Sequence, residues 1–300
     1  MILSSVLDRR CSRRMVRHGL VFLVGVVLAA VLFGLPTTAS EAPFSELVER
    51  ADAAFRERFV EGRMKEAIAF YEWILGLDAL AVQSQAFVLN RLSQLCYELT
   101  TFSEGNTLQD RDLLLKGKGY GLRGLRLVPA FAEWEEEDFR EAVERVGDPA
   151  ALLWTANNWG ALFGYDPLQG MLGVNSVWAM YERCLAIEES YWGASAHNAL
   201  GALLIVVPEI LGGDIEQGRR HLEKAVTLNP DYLENRVVYA QYWGFAYDFL
   251  GNVNGIRDRE LIERELNLVL EAPVGDWPFW NREAKKEVQI LLAQFGELSP

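Results

Sequence analysis

The feature that most constrains this chain is its periodicity. From about residue 44 onward apolar residues recur at helical spacing nearly throughout, and alternating β-branched runs are absent. A chain patterned this way buries one stripe per helix, so an all-α fold is expected. Such chains are often helical arrays, which makes an internal repeat the first thing to seek.

One unit is ADAAFRERFVEGRMKEAIAFYEWILGLDA, residues 51–79. Ala53 and Ala54 sit in a first helix and Gly62 marks a turn. A second helix then carries Ala67, Tyr71 and Ile74 at i, i+4, i+7, the small–bulky–apolar layout of a tetratricopeptide repeat. Gly117, Gly121 and Gly124 repeat those offsets ahead of Pro129, and Gly218, Leu222 and Ala225 repeat them ahead of Pro230. Leu261, Glu265 and Leu268 do so more weakly ahead of Pro273. Glycine is a poor helix former, so three of them in one helix point to close helix packing. SVWAMYERCLAIEESY (176–191) supplies another second helix. The pattern predicts a tetratricopeptide-like helical-hairpin solenoid with degenerate repeats. Insertions at 100–112 and 131–150 interrupt it, the latter carrying a solvated acidic run, EEED.

With half of its 300 residues hydrophobic and 9 Trp, the chain can bury a sizeable core. Residues 1–19 carry five Arg and one acid, and a 16-residue apolar run follows, ending at Pro36 and TTAS. That is the layout of a secretory signal with cleavage after Ala39. An uncleaved anchor is the alternative, although the run is short for a membrane span of about 20 residues. The expected organisation is a signal over 1–39 and one all-α domain over 40–300, periplasmic or otherwise exported. The formal net charge is −13, and loss of residues 1–39 would make it four units more acidic. An acidic surface repels phosphate backbones, so nucleic acid is excluded as a partner. Cys96 and Cys184 are expected to sit apart as buried small hydrophobes.

PEILGGD (208–214) interrupts an apolar helix and an amphipathic one. A phosphate loop needs more glycines at set spacing and a Lys before Ser or Thr, and these are missing. Pro208, Gly212, Gly213 and Asp214 read instead as a structural turn. The two glycines would supply left-handed backbone, and Asp214 would cap the next helix in a box with Gln217.

Four stretches in order carry a family likeness: ALLWTANNWGALFGYD (151–166), YWGASAHNAL through PEILGGD to HLEKAVTLNPDYL (191–233), VVYAQYWGFAYDF (237–249) and PFWNREAKKEVQILL (278–292). Together they resemble the TatT family, the tetratricopeptide T component associated with tripartite ATP-independent periplasmic (TRAP) transporters. The resemblance implies a helical, export-routed protein that is not an enzyme and pairs with a TRAP substrate-binding protein. It also implies a homo-oligomer, with a trimer as candidate, and a channel or groove for a hydrophobic or organic-acid ligand. Members are often lipid-anchored, but no Cys stands just after the apolar run here.

Nothing in the sequence calls for a cofactor. His197 and His221 are isolated, with no HxxxH or Cys pair, so no metal site is expected. His221 is expected to face solvent or pack in a surface set. The remaining lead is aromatic. Trp154, Trp159, Tyr191, Trp192, Tyr242 and Trp243 cluster in the family-like stretches, beside Asn157, Asn158 and His197. Large aromatics at helical spacing usually fill a core. An apolar cleft with a few amides also suits a small organic ligand, which makes these nine the ligand-groove candidates. The alternative function is an exported tetratricopeptide scaffold for envelope protein–protein contacts, with no ligand site.

Overall fold

Thirteen α-helices carry most of the residues described by the structure, a computed structural model covering 44–77, 80–102, 107–248 and 251–298. The expected signal segment and its cleavage point lie outside these residues. The packing contacts below lie in the contact unit that begins at Val48.

In chain order the helices are α1 (Phe44–Arg56), α2 (Arg63–Leu75), α3 (Val82–Thr100), α4 (Leu108–Leu125), α5 (Pro129–Trp134), α6 (Phe139–Glu144) and α7 (Pro149–Ala161). They continue as α8 (Pro167–Ile187), α9 (Tyr191–Val206), α10 (Ile215–Leu228), α11 (Glu234–Tyr239), α12 (Arg259–Glu271) and α13 (Trp280–Leu298). Each long helix packs on its chain neighbours in consecutive hairpins: α2 on α3, α3 on α4, α7 on α8, α9 on α10. The fold is all-helical and tetratricopeptide-like. Aspartates start many of the helices. Asp138, Asp148, Asp214 and Asp258 each accept a hydrogen bond from a first-turn N–H, and Thr107 and Asp110 form a reciprocal capping box.

The repeat offsets translate into buried positions. Ala67, Tyr71 and Ile74 are fully buried, as are Leu222 and Ala225. In α4 the glycines admit α7 at close range. A Cβ on Gly117 would stand 2.1 Å from Asn158 Oδ1, and one on Gly121 would stand 2.0 Å from Thr155 Oγ1. In α12 the offsets hold at Leu261 and Glu265 but not at Leu268, which is 41 % exposed; the buried face is Leu261, Ile262, Glu265, Leu266 and Val269. Glu265, paired with Arg236 at 2.6 Å, occupies a buried position usually left to an apolar side chain.

The 131–150 insertion folds as two short helices, α5 and α6, and its acidic run stays at the surface apart from Glu135, which pairs with Arg126. One departure from helix follows α11. Ala240–Gly244 widens into a π turn, and Phe245–Tyr247 (β1) pairs antiparallel with Val253–Ile256 (β2). Gly244 presses on Ile262, where a Cβ would meet the side chain at 2.3 Å, and its carbonyl accepts from Arg257 and Asp258 N–H. A short two-stranded ribbon carrying Phe245 and Tyr247 thus interrupts the helical array, where the sequence shows no alternating run.

PEILGGD is the turn between α9 and α10. Gly212 has φ 99°, the left-handed backbone a Cβ disfavours. Gly213 is needed for a different reason than expected: a Cβ there would lie 1.7 Å from the Val207 carbonyl oxygen. Asp214 accepts from Gln217 N–H at 2.8 Å, the Asp214 half of the expected box. Cys96 and Cys184 are buried free thiols, the Cys96 pKa pushed up to about 12 by burial.

Candidate functional site

Helix α3 buries Val88, Leu89, Leu92, Leu95 and Cys96 on one side, yet Asn90, Gln94 and Glu98 follow one another at i, i+4, i+8. Gln94 and Glu98 are buried to 1 % and 0 % exposure, so this is a polar stripe inside a protein interior. Buried polar groups must find partners. At the N-terminal end of the stripe the start of α7 and the start of α9 stand off from α3. Between them lies a cleft of about 460 Å³, lined by Gln83, Ala86, Phe87, Asn90, Arg91 and Gln94 from α3, by Asp148, Ala150 and Trp154, and by Tyr191. That volume lies in the range of small-molecule sites.

Arg91 is the cation of the cleft. Its guanidinium lies 4.0 Å from the Phe55 ring centroid and 5.1 Å from that of Phe87. Nη1 donates to Gln94 Oε1 at 3.0 Å, while Nε is buried without a partner, as is Asn90 Oδ1. The Tyr71 hydroxyl donates to Asp52 and stands beside the same guanidinium. Asp148, the acid in the cleft, is engaged: it caps α7 through Ala150 N–H at 2.9 Å and accepts from Asn90 Nδ2 at 2.7 Å. The Tyr191 hydroxyl is held protonated, its pKa pushed up to about 12 by burial.

Gln94 joins the cleft to a buried ion pair. Its Nε2 donates to Glu98 Oε1 at 2.8 Å, which also accepts from Trp280 Nε1 at 3.1 Å. Arg58 Nε donates to Glu98 Oε2 at 2.6 Å. The Arg58 guanidinium also lies over the rings of Phe55 and Phe279, at 4.3 and 5.1 Å. With Gln94 taking Arg91 on its oxygen and giving to Glu98 from its nitrogen, its amide orientation is fixed.

The nine groove candidates part company. Trp154 and Tyr191 line the cleft. Trp192 packs edge-on against Trp154 at 5.3 Å and against Trp277 at 5.7 Å. It stands there because residues 192–194 are left-handed, with φ of 48°, 70° and 64°. Non-glycine residues pay for that backbone, and such strain gathers at functional sites. The turn is held by Asn235 Nδ2 donating to the Gly193 carbonyl at 3.0 Å, with the Tyr232 ring against Gly193. Asn158 is fully buried between α3, α4 and α7, donating to Ser93 O and Trp154 O, so it is a packing residue. Asn157 accepts from the Tyr181 hydroxyl at 2.9 Å. Trp159 lies elsewhere, under Lys118 Nζ at 3.5 Å, beside a smaller pocket of about 100 Å³. Tyr242 stacks on Tyr247 at 5.7 Å, and Trp243 is buried beneath Arg219 and Arg257.

His197 and His221 meet, contrary to the expectation that His221 faces solvent. Their Nδ1 atoms are 2.7 Å apart, because α9 and α10 pack as one hairpin through Gly201 and Gly218. His197 Nε2 lies 3.3 Å from Glu189 Oε1, which also pairs with Lys224. A carboxylate accepts, so His197 carries its proton on Nε2 and His221 donates from Nδ1. Burial holds both pKa values low, His221 at about 4, with the neighbouring His197 and Arg220 adding to the shift. Among the described residues no group of three or more His, Cys, Asp or Glu is placed to hold a metal ion. No described helix is long and apolar enough to cross a membrane.

The sequence profile of the TRAP transporter T-component family (TAtT) matches residues 84–298. The chain belongs to that family. The match runs from α3 to the end of α13 and so takes in every residue lining the cleft except Gln83. A search of curated proteins returned no match. As a T-component, the chain is tied to the TRAP system, a transporter rather than an enzyme class. The cleft residues Asn90, Arg91 and Gln94 of this T-component escape a motif search. The four-residue spacing of amide, amide and acid, Asn90, Gln94 and Glu98, is the signal that finds the two amides, and it does not reach Arg91.

Proposed function

We propose that this T-component is a periplasmic, non-catalytic accessory of a TRAP-type uptake system. It docks on the substrate-binding component and holds a small organic ligand in the α3–α7–α9 cleft. Trp154 and Tyr191 wall that cleft, and Trp192 braces Trp154 from behind. The family match over 84–298 carries the partner part of this reading. The ligand part is supported by a 460 Å³ cleft that places two aromatic walls opposite amide side chains. The three consecutive left-handed residues at 192–194 fit a wall whose position is worth a local cost.

Cross-linking in native cells followed by capture of the chain tests the partner. A TRAP substrate-binding protein is expected among the captured proteins. Repeated capture without one, from cells transporting TRAP substrates, defeats the reading in favour of a ligand-free envelope scaffold. Sedimentation of the purified chain tests the proposed homo-oligomer, with a trimer as the expected species.

A further inference from the structure

We infer that the PEILGGD turn is a preformed docking knob, and that its apolar tip enters a socket on the substrate-binding component, apolar within and rimmed by Lys or Arg. The inference rests on the docking part of the proposed function and names the surface that does the docking. Three observations carry it. First, the tip is apolar and stands in water. Ile210 is 86 % exposed, and Leu211 and Ile215 are exposed close to it in the chain. Single exposed apolar residues are ordinary, but three in one short turn make the kind of surface that protein contacts cover.

Second, the turn holds its own shape. Leu211 N–H and Gly213 N–H both donate to the Pro208 carbonyl, at 2.8 and 3.2 Å, and Gly212 N–H donates to that of Glu209 at 3.0 Å. Asp214 N–H reaches back to the Leu204 carbonyl at 2.9 Å, which ties the turn to the end of α9. With its backbone groups satisfied from within, the tip loses little freedom on binding. Third, charge selects the partner. Glu209, Asp214 and Glu216 are exposed around the tip, and no Lys or Arg occurs between Arg183 and Arg219. Among the described residues none of these three acids forms an ion pair. Arg257 lies in the field of Glu216 but turns its Nη1 to the carbonyls of Tyr242 and Trp243. An acidic collar around an apolar tip is complementary to a basic rim around an apolar hollow. The same collar repels anionic lipid headgroups, and a two-fold contact between tips of two copies would set like charges together.

The captured substrate-binding component, purified and titrated against the full chain, tests the assignment. Ile210→Ser with Leu211→Ser is expected to weaken binding at least about tenfold while leaving the unfolding midpoint near that of the native chain. Glu209→Lys with Glu216→Lys is expected to slow association and to reduce its dependence on salt. Native affinity in the serine variant overturns the inference and leaves docking itself intact, whereas a native chain that captures no such component removes both. A second arm needs no tolerance of those variants: p-benzoylphenylalanine in place of Ile210, irradiated in cells, is expected to cross-link to the substrate-binding component. The same group in place of Leu108, 80 % exposed on α4, is expected to give no such adduct. An adduct of the tip with a second copy of the chain, with lipid, or with nothing rejects the proposed socket, as does the same adduct from both positions.

Discussion

His197 and His221 show how two unremarkable residues become a coupled unit once the fold brings them together. Each is neutral in the folded protein because burial disfavours the imidazolium, and a second proton would place two cations at 2.7 Å. Both folded pKa values lie below the ordinary 6.5, so the unfolded chain binds protons more readily. The stability they contribute is therefore complete above about pH 6.5 and is lost as pH falls toward about 4, the His221 value. With partial exposure of His221 discounted, urea titrations should give about 1–2 kcal/mol less stability at pH 5 than at pH 7.5. His221→Phe should flatten that slope; an unchanged slope would place the titration elsewhere. At the same scale, Gly193→Ala sets a methyl 2.5 Å from the Tyr232 ring on a backbone with φ 70°. A loss of about 2–4 kcal/mol is expected in thermal or denaturant unfolding.

At the level of the elements, helix α4 separates packing from propensity. Gly121 faces Thr155 across the α4–α7 contact, whereas Gly119 of the same helix meets nothing within 4 Å. Gly121→Ala should cost about 2–3 kcal/mol by forcing the helices apart. Gly119→Ala should add up to about 1 kcal/mol by removing backbone freedom from the unfolded chain. Denaturation midpoints moving in the same direction for both would contradict the close-approach account. The helices, their hairpin order and the Gly212–Asp214 turn were legible in the sequence because each has a local signature: a 3.6-residue stripe, a glycine, a capping aspartate. The β1–β2 ribbon was not, since Phe245–Tyr247 and Val253–Ile256 are too short to show an alternating run, and the chain leaves the helix only where Gly244 is pressed against Ile262. The cleft was half legible. Trp154 and Tyr191 stood out as large aromatics among family-like stretches. Arg91 did not, because an arginine in NRLSQL looks like a solvated face until Phe55 and Phe87 close around it. The left-handed turn at Trp192 leaves no trace in composition at all, being imposed by Tyr232 and Asn235 from further along the chain.

Across the whole molecule, the chain's far-separated parts meet at Glu98. Arg58, Gln94 and Trp280 all donate to its carboxylate, and the Trp280 bond spans 182 residues of sequence. Deleting one member of a buried pair leaves the other charge without compensation. Glu98→Ala should therefore cost about 3–5 kcal/mol, more than Trp280→Phe, which removes one donor and keeps most of the ring. Comparable losses from the two variants in equilibrium unfolding would mean the carboxylate is not the hub. Asn281 performs the neighbouring tie, accepting from Leu233 N–H and donating to the carbonyls of Asp231 and Val274. The start of α13 thus closes polar groups that three earlier segments leave open.

That late closure sets a timetable for the chain as it is made. At about 5–20 residues per second, synthesis of the 182 residues between Glu98 and Trp280 takes roughly 10–40 s. Throughout that interval the Glu98 carboxyl group has only the donors that Arg58 and Gln94 supply. A nascent or truncated chain ending before Trp280 is therefore an open substrate for chaperones and proteases until α13 arrives to close the Glu98 hub.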